Sequence, residues 1–299
     1  LGSATLGGRT PARVAVVFDW ECWWAQKASS GPSRDFDYHP EVLHHYSAFH
    51  EAGIAIDVVG PDADLRPYDL IVLAAAYLLR PAQARAIEER VRAGATLVAT
   101  YFTAMVDEDD RVYEGGSPGP LRDVLGLTVE EYDAFPPEVK QGVRFSAALG
   151  KLETNVEYGA SLLCERLWLS TAKPLAQYTH EFYAGDTAIT VNSLGQGKAY
   201  YVGTRLDAPA LAAFVAALAA ERGIASPLAG GAPPPVGVEV TVRVGPSGKS
   251  LLYLLNHDAQ APHEVALPKG SFVDALTGKT FAGTAKLGPR DVLILDAQR

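Results

Sequence analysis

The feature that most limits the possible folds is an alternation of two periodicities through the first hundred residues. Residues 13–19 (RVAVVFD) form a continuous apolar, β-branched run, the pattern of a strand buried on both faces. Residues 40–52 then take helical spacing, opened by Pro40 and closed by Gly53. The pattern repeats as strands over 54–59 and 69–76, a helix over 81–93 ended by Gly94, and a strand over 95–101. Parallel strands need long crossover connections, usually helices, so this alternation predicts a doubly wound parallel α/β sheet.

Beyond residue 106 the pattern loosens into turns and acidic residues as far as 148. Residues 188–202 (AITVNSLGQGKAYYV) predict two strands around a glycine-rich hairpin, and the alanine-rich stretch 209–222 predicts a helix. The segment PLAGGAPPP at 227–235 has no periodicity and marks the best boundary in the chain. After it come only short strand patterns, over 236–244, 250–256, 263–267, 271–274 and 291–295. We therefore expect a linker over 1–11, an α/β domain over 12–228, a second linker over 229–235, and a small all-β domain over 236–299. The last should be a β-sandwich or Greek-key module.

With 35 acidic against 26 basic residues the net charge is -9, and no Lys/Arg cluster exists to displace counterions from a phosphate backbone. Nucleic acid is therefore not an expected partner. No apolar stretch approaches the ~20 residues of a membrane span. Two cysteines, Cys22 and Cys164, argue against a disulfide framework or a cysteine zinc site, and a cytoplasmic setting is expected.

In an open α/β sheet, ligands bind beyond the carboxyl ends of the strands. Three unusual loops are expected there: Asp19-Trp20-Glu21-Cys22-Trp23-Trp24, Ala75-Ala76-Tyr77 and Tyr101-Phe102-Thr103. Three tryptophans in five residues suit a sugar ring or a partner subunit; alternatively they pack beneath the segment 27–39. Asp19 and Glu21 cannot flank a glycosidic bond from two sides as neighbours on one strand, so hydrogen bonding or capping is expected of them. His44, His45 and His50 do not share an i, i+4 face, which weakens any pairing with Cys22. The run Asp107-Glu108-Asp109-Asp110 lacks the spaced ligands and glycine of a calcium loop and is expected to be a solvated turn. No metal, cofactor or catalytic residue is assigned.

Taken in order, FDWECWWA (18–25), VDEDDRVYEGGSPGPLRDVLGL (106–127), EFYAGDTAITVNSLGQGKAYYVGT (181–204) and YLLNH (253–257) resemble the regions that follow the catalytic barrel in family 42 β-galactosidases. The resemblance implies a trimerisation domain with a flavodoxin-like, class I glutamine amidotransferase-like fold, and then a C-terminal β-domain. The barrel and its two catalytic glutamates would be absent, since some 300 residues cannot also hold a barrel of ~250. The first strand-end loop, with Trp20, Glu21, Trp23 and Trp24, together with Tyr77 and Phe102, is then expected to wall a substrate cleft or form an interface, with Trp23 and Trp24 partly exposed. Cys22 departs from the family, which more often has a polar residue there. The elbow cysteine of a glutaminase is missing after the third strand, where Ala74-Ala75-Ala76-Tyr77 stands instead. A homotrimer unable to cleave galactosides by itself is the leading expectation, and a free-standing carbohydrate-binding or amidotransferase-like protein the alternative.

Overall fold

The computed structural model describes residues 2–29 and 31–298. The chain divides into two compact units, one of Val14–Tyr46 and Asp57–Leu218, the other of Leu1–Arg13, Ser47–Ile56 and Ala219–Arg299.

A single turn, α1 (Gly2–Thr5), precedes the first strand, β1 (Val14–Val17). Next come α2 (Trp20–Ala28), α3 (Tyr38–Glu51), β2 (Ile56–Val59), β3 (Leu70–Leu73), α4 (Pro81–Arg92) and β4 (Thr96–Thr100). All residues of β1, β3 and β4 are buried, as their unbroken apolar runs require. β1 pairs parallel with β3 and β3 with β4, Val14 facing Leu70 and Leu70 facing Thr96. α4 turns Gln83, Ala84, Ile87 and Val91 inward, a helical stripe, and Pro81 sits at its start.

The region expected to loosen into turns, up to residue 148, does hold turns but also a short helix and two strands, and two further strands follow where no element was expected. α5 (Arg122–Leu125) leads into β5 (Leu127–Ala134), β6 (Gln141–Phe145), β7 (Tyr158–Leu169) and β8 (Lys173–Tyr178). The expected hairpin follows as β9 (Thr187–Leu194) and β10 (Gly197–Val202), then β11 (Thr204–Leu206) and α6 (Ala208–Glu221). One eleven-stranded sheet runs β11-β7-β6-β8-β9-β10-β4-β3-β1-β2, with β5 added on β7. β10 is its seam, parallel to β4 on one side and antiparallel to β9 on the other. The sheet is therefore mixed, and the doubly wound parallel arrangement is corrected to a parallel part extended by antiparallel strands.

In the other unit, β12 (Val238–Val244), β13 (Ser250–Asn256), β14 (His263–Asp274), β15 (Thr280–Leu287) and β16 (Val292–Gln298) form one antiparallel sheet of order β12-β13-β16-β14-β15. The expected sandwich is thus a single sheet. All five strands feed one core around Val240, Leu254, Val265, Leu287 and Leu295. The two runs 263–267 and 271–274 are one strand, broken in register between Ala266 and Ser271. Residues 9 and 244 exchange backbone hydrogen bonds, so the amino-terminal arm pairs with the edge of β12. Gly53 closes α3 at φ +70°, and a Cβ there would lie 2.7 Å from Val240 Cγ1, so glycine is required twice over.

Candidate functional site

The expected loop after β1 is a helix. Asp19 caps α2, its Oδ1 accepting the Glu21 N–H at 2.9 Å. Cys22 and Gln26, four apart, face inward, while Trp20 and Trp24, also four apart, face solvent at 56% and 63% exposure. Gln26 fixes the following segment by donating to the Phe36 carbonyl at 3.2 Å and accepting from the Tyr38 N–H. Phe18, Trp20, Trp23, Tyr38 and His39 form a continuous aromatic cluster. Trp23 is half-buried, stacked on His39 with ring centroids 5.2 Å apart, and donates its indole N–H to Asp37 at 2.9 Å.

The three strand ends converge. The Leu78 N–H donates to Cys22 Sγ at 3.5 Å, and Arg80 forms an ion pair with Glu21. Tyr77 stacks on Phe102 with centroids 5.1 Å apart. Both rings are buried, at 7% and 3% exposure, so they support the surface rather than line it. Ala75, Phe102 and Ala104 all take positive φ, a strained geometry at roughly 1–3 kcal/mol each; side chains hold the first two and the Ala76 carbonyl the third. The Ala75 N–H donates to Thr100 Oγ1 at 2.8 Å and the Phe102 N–H to Glu165 Oε1 at 2.9 Å.

The electrostatics disfavour Cys22 as a nucleophile. Burial pushes the Cys22 thiol up to about 12, and no histidine contacts it among the described residues. His44 bonds the Leu206 carbonyl and His45 the Glu41 carbonyl, and burial lowers His45 to about 4. Burial also raises Asp19, whose Oδ2 accepts no hydrogen bond and lies 4.0 Å from Arg80. Beneath the site, the fully buried Glu165 accepts from Tyr201 at 2.6 Å and burial lifts it to about 7. Sequence reasoning passed over Glu165; the signal was a carboxylate inside the apolar run SLLCERLWL. Among the described residues no three His, Cys, Asp or Glu side chains gather to hold a metal, and no helix is long and apolar enough to cross a membrane.

The chain thus combines a capped aromatic helix at the carboxyl end of parallel strands with a separate antiparallel sheet. Residues 12–225 match the β-galactosidase trimerisation domain family, and residues 237–297 the β-galactosidase C-terminal domain family. The chain belongs to the family 42 β-galactosidases. It is 36% identical over 295 residues to β-galactosidase BgaP of Planococcus sp. (strain L4), covering 99% of this chain and 42% of that protein. β-Galactosidase LacZ of Lactobacillus acidophilus is 36% identical over 280 residues, covering 93% and 40%. The crystal structure of β-galactosidase from Bacillus circulans sp. alkalophilus superposes with a TM-score of 0.93 at 36% identity, covering 98% of this chain and 42% of that one. The chain thus spans about two-fifths of the length of its relatives, and its matched residues are those of the trimerisation and C-terminal domain families.

The tryptophans differ in what their removal should do. Trp24→Ala is expected to cost under about 1 kcal/mol, because its ring is mostly solvated, whereas Trp23→Ala loses a stack and a hydrogen bond and should cost about 2 kcal/mol. Urea melts of the two variants check this, and a full core penalty of ~3–5 kcal/mol at Trp24 would contradict its exposure. Acrylamide should quench most of the fluorescence, since Trp20, Trp24 and Trp168 are exposed and only Trp23 is sheltered.

Proposed function

We propose that this chain is the assembly portion of a β-galactosidase. It forms a homotrimer through its α/β unit, whose architecture is kin to flavodoxin and the class I glutamine amidotransferases. It presents the outer face of α2, with Trp20, Glu21 and Trp24, as a wall of the substrate cleft of a catalytic barrel. Hydrolysis of terminal β-D-galactosides belongs to that barrel, and the setting is cytoplasmic. Tyr77 and Phe102 act from beneath, fixing the strand ends on which α2 rests.

The observation that carries this reading is the pair of indoles held in solvent on a capped nine-residue helix. Their exposed apolar area is unfavourable in a free protein and becomes favourable when a barrel or a sugar covers it. The Glu21–Arg80 pair holds the first turn of the helix and supplies hydrogen-bonding groups beside the rings.

Light scattering of the chain should give three times its 31.8 kDa mass. A chromogenic galactoside should not be turned over, since Asp19 caps a helix and Glu21 is ion-paired, and neither faces the other across a cleft. A monomer at micromolar concentration, or turnover abolished by Glu21→Gln, would overturn the proposal.

A further inference from the structure

We propose that the outer face of the C-terminal sheet carries a binding site for a neutral saccharide, centred on Tyr253. This site goes beyond the cleft-wall role and uses none of its residues. β12, β13 and β16 lie side by side, and their register sets Thr241, Tyr253 and Ile294 in one row across the sheet. Strand alternation sends Leu252, Leu254, Leu293 and Leu295 into the core and Tyr253, Leu255 and Ile294 to the opposite face. A sheet covered on one side normally turns polar residues to the other. Here that face mixes an aromatic ring and two aliphatic side chains with Glu239, Thr241 and Arg243 of β12.

The amino-terminal arm turns this face into a concavity. Arg9 pairs with Val244 at the edge of β12, and Arg243 donates to the Gly8 carbonyl at 3.0 Å, which holds the arm in place. The resulting depression has a volume of about 740 Å³, within the range of small-molecule sites. Its floor is Tyr253, Leu255 and Ile294, and its rim carries Glu239, Thr241 and Arg243.

An apolar floor under a rim of donors and acceptors complements a sugar ring. The C–H face of the sugar packs on the aromatic and aliphatic floor while its hydroxyls bond the rim. The rim has capacity to spare. Glu239 uses Oε2 for His257 at 2.9 Å, leaving its other oxygen, and the Thr241 and Tyr253 hydroxyls bond nothing among the described residues. Glu239 and Arg243 carry opposite charges, so the rim has no net charge to draw a free anion or cation, and its paired donors and acceptors suit a neutral polyhydroxyl ligand.

Calorimetric titration of the whole chain with lactose, and separately with maltose, tests the site. Saturable binding of at least one disaccharide is expected. Tyr253→Ala should weaken it by about tenfold or more and Glu239→Gln by about fivefold, whereas Trp168→Ala, an exposed ring in the other unit, should leave it unchanged. Tyr253 is half-buried on the outer face, and if its truncation compromises folding, Tyr253→Phe and Glu239→Gln carry the test. Absence of saturable binding by both sugars overturns the proposal. So does binding that is lost in a Trp20→Ala/Trp24→Ala double variant and retained in Tyr253→Ala, which would assign it to α2.

Discussion

Gly197→Ala should be the most damaging single-methyl addition in the α/β unit, costing about 4 kcal/mol or more in a urea melt. Gly197 opens β10, the strand on which the parallel and antiparallel parts of the sheet meet. A Cβ built there would lie 2.2 Å from the Val91 carbonyl oxygen and 2.3 Å from that of Ala95. Both obstacles are backbone, at the end of α4 and just before β4, so neither can rotate aside as a flexible side chain would. Relief requires moving α4 away from the sheet or displacing β10 from β4, and either breaks ladder bonds. Gly60→Ala is the control, since a methyl added there would meet nothing within 4 Å and its backbone is not left-handed. It should change stability by less than about 0.5 kcal/mol. A Gly197→Ala variant within about 1 kcal/mol of the parent would mean that the seam is loosely packed.

The parallel part of the sheet was legible because β1 and β3 are short, wholly apolar runs and β4 a buried, largely apolar one, set among helix signals, a pattern with few other solutions. Of the antiparallel part only the β9–β10 hairpin was. β7 runs twelve residues with Glu165 and Arg166 inside it, and β8 contains Pro174, a residue that argues locally against a strand. α2 was hidden by its tryptophans, although the capping Asp19 and the Cys22/Gln26 spacing were present in the sequence. The pairing of Arg9 with Val244 joins residues 235 apart and leaves no local trace. For the site, the place of three segments at the carboxyl ends of strands followed from topology. The burial of Tyr77 and Phe102 did not, because it depends on Phe36 and Glu165 arriving from elsewhere in the chain.

Glu165→Gln should stabilise the protein at neutral pH and leave it nearly unchanged near pH 4.5. Burial lifts the Glu165 carboxyl from an ordinary 4.5 to about 7, so across that interval the folded state holds a proton that the unfolded state has released. Its contribution is fully present below pH 4.5 and declines as pH rises toward 7, by about 3 kcal/mol in all. His45 acts in the opposite sense. Burial lowers it from 6.5 to about 4, so its contribution is fully present above pH 6.5 and is lost as pH falls toward 4, again by about 3 kcal/mol. The two slopes nearly cancel between pH 4.5 and 6.5, and the parent protein should show a flat profile there. Glutamine keeps both hydrogen bonds of residue 165, its carbonyl accepting from the Phe102 N–H and its amide donating to the Tyr201 hydroxyl. With the Glu165 slope removed, the variant should gain stability with rising pH by about 1.4 kcal/mol per unit, exceeding the parent by about 3 kcal/mol at pH 7. Urea melts of both proteins at pH 4.5, 5.5 and 7 measure the divergence. Parallel curves would mean that Glu165 stays ionised in the folded protein, with Tyr201 and the Phe102 N–H outweighing its burial.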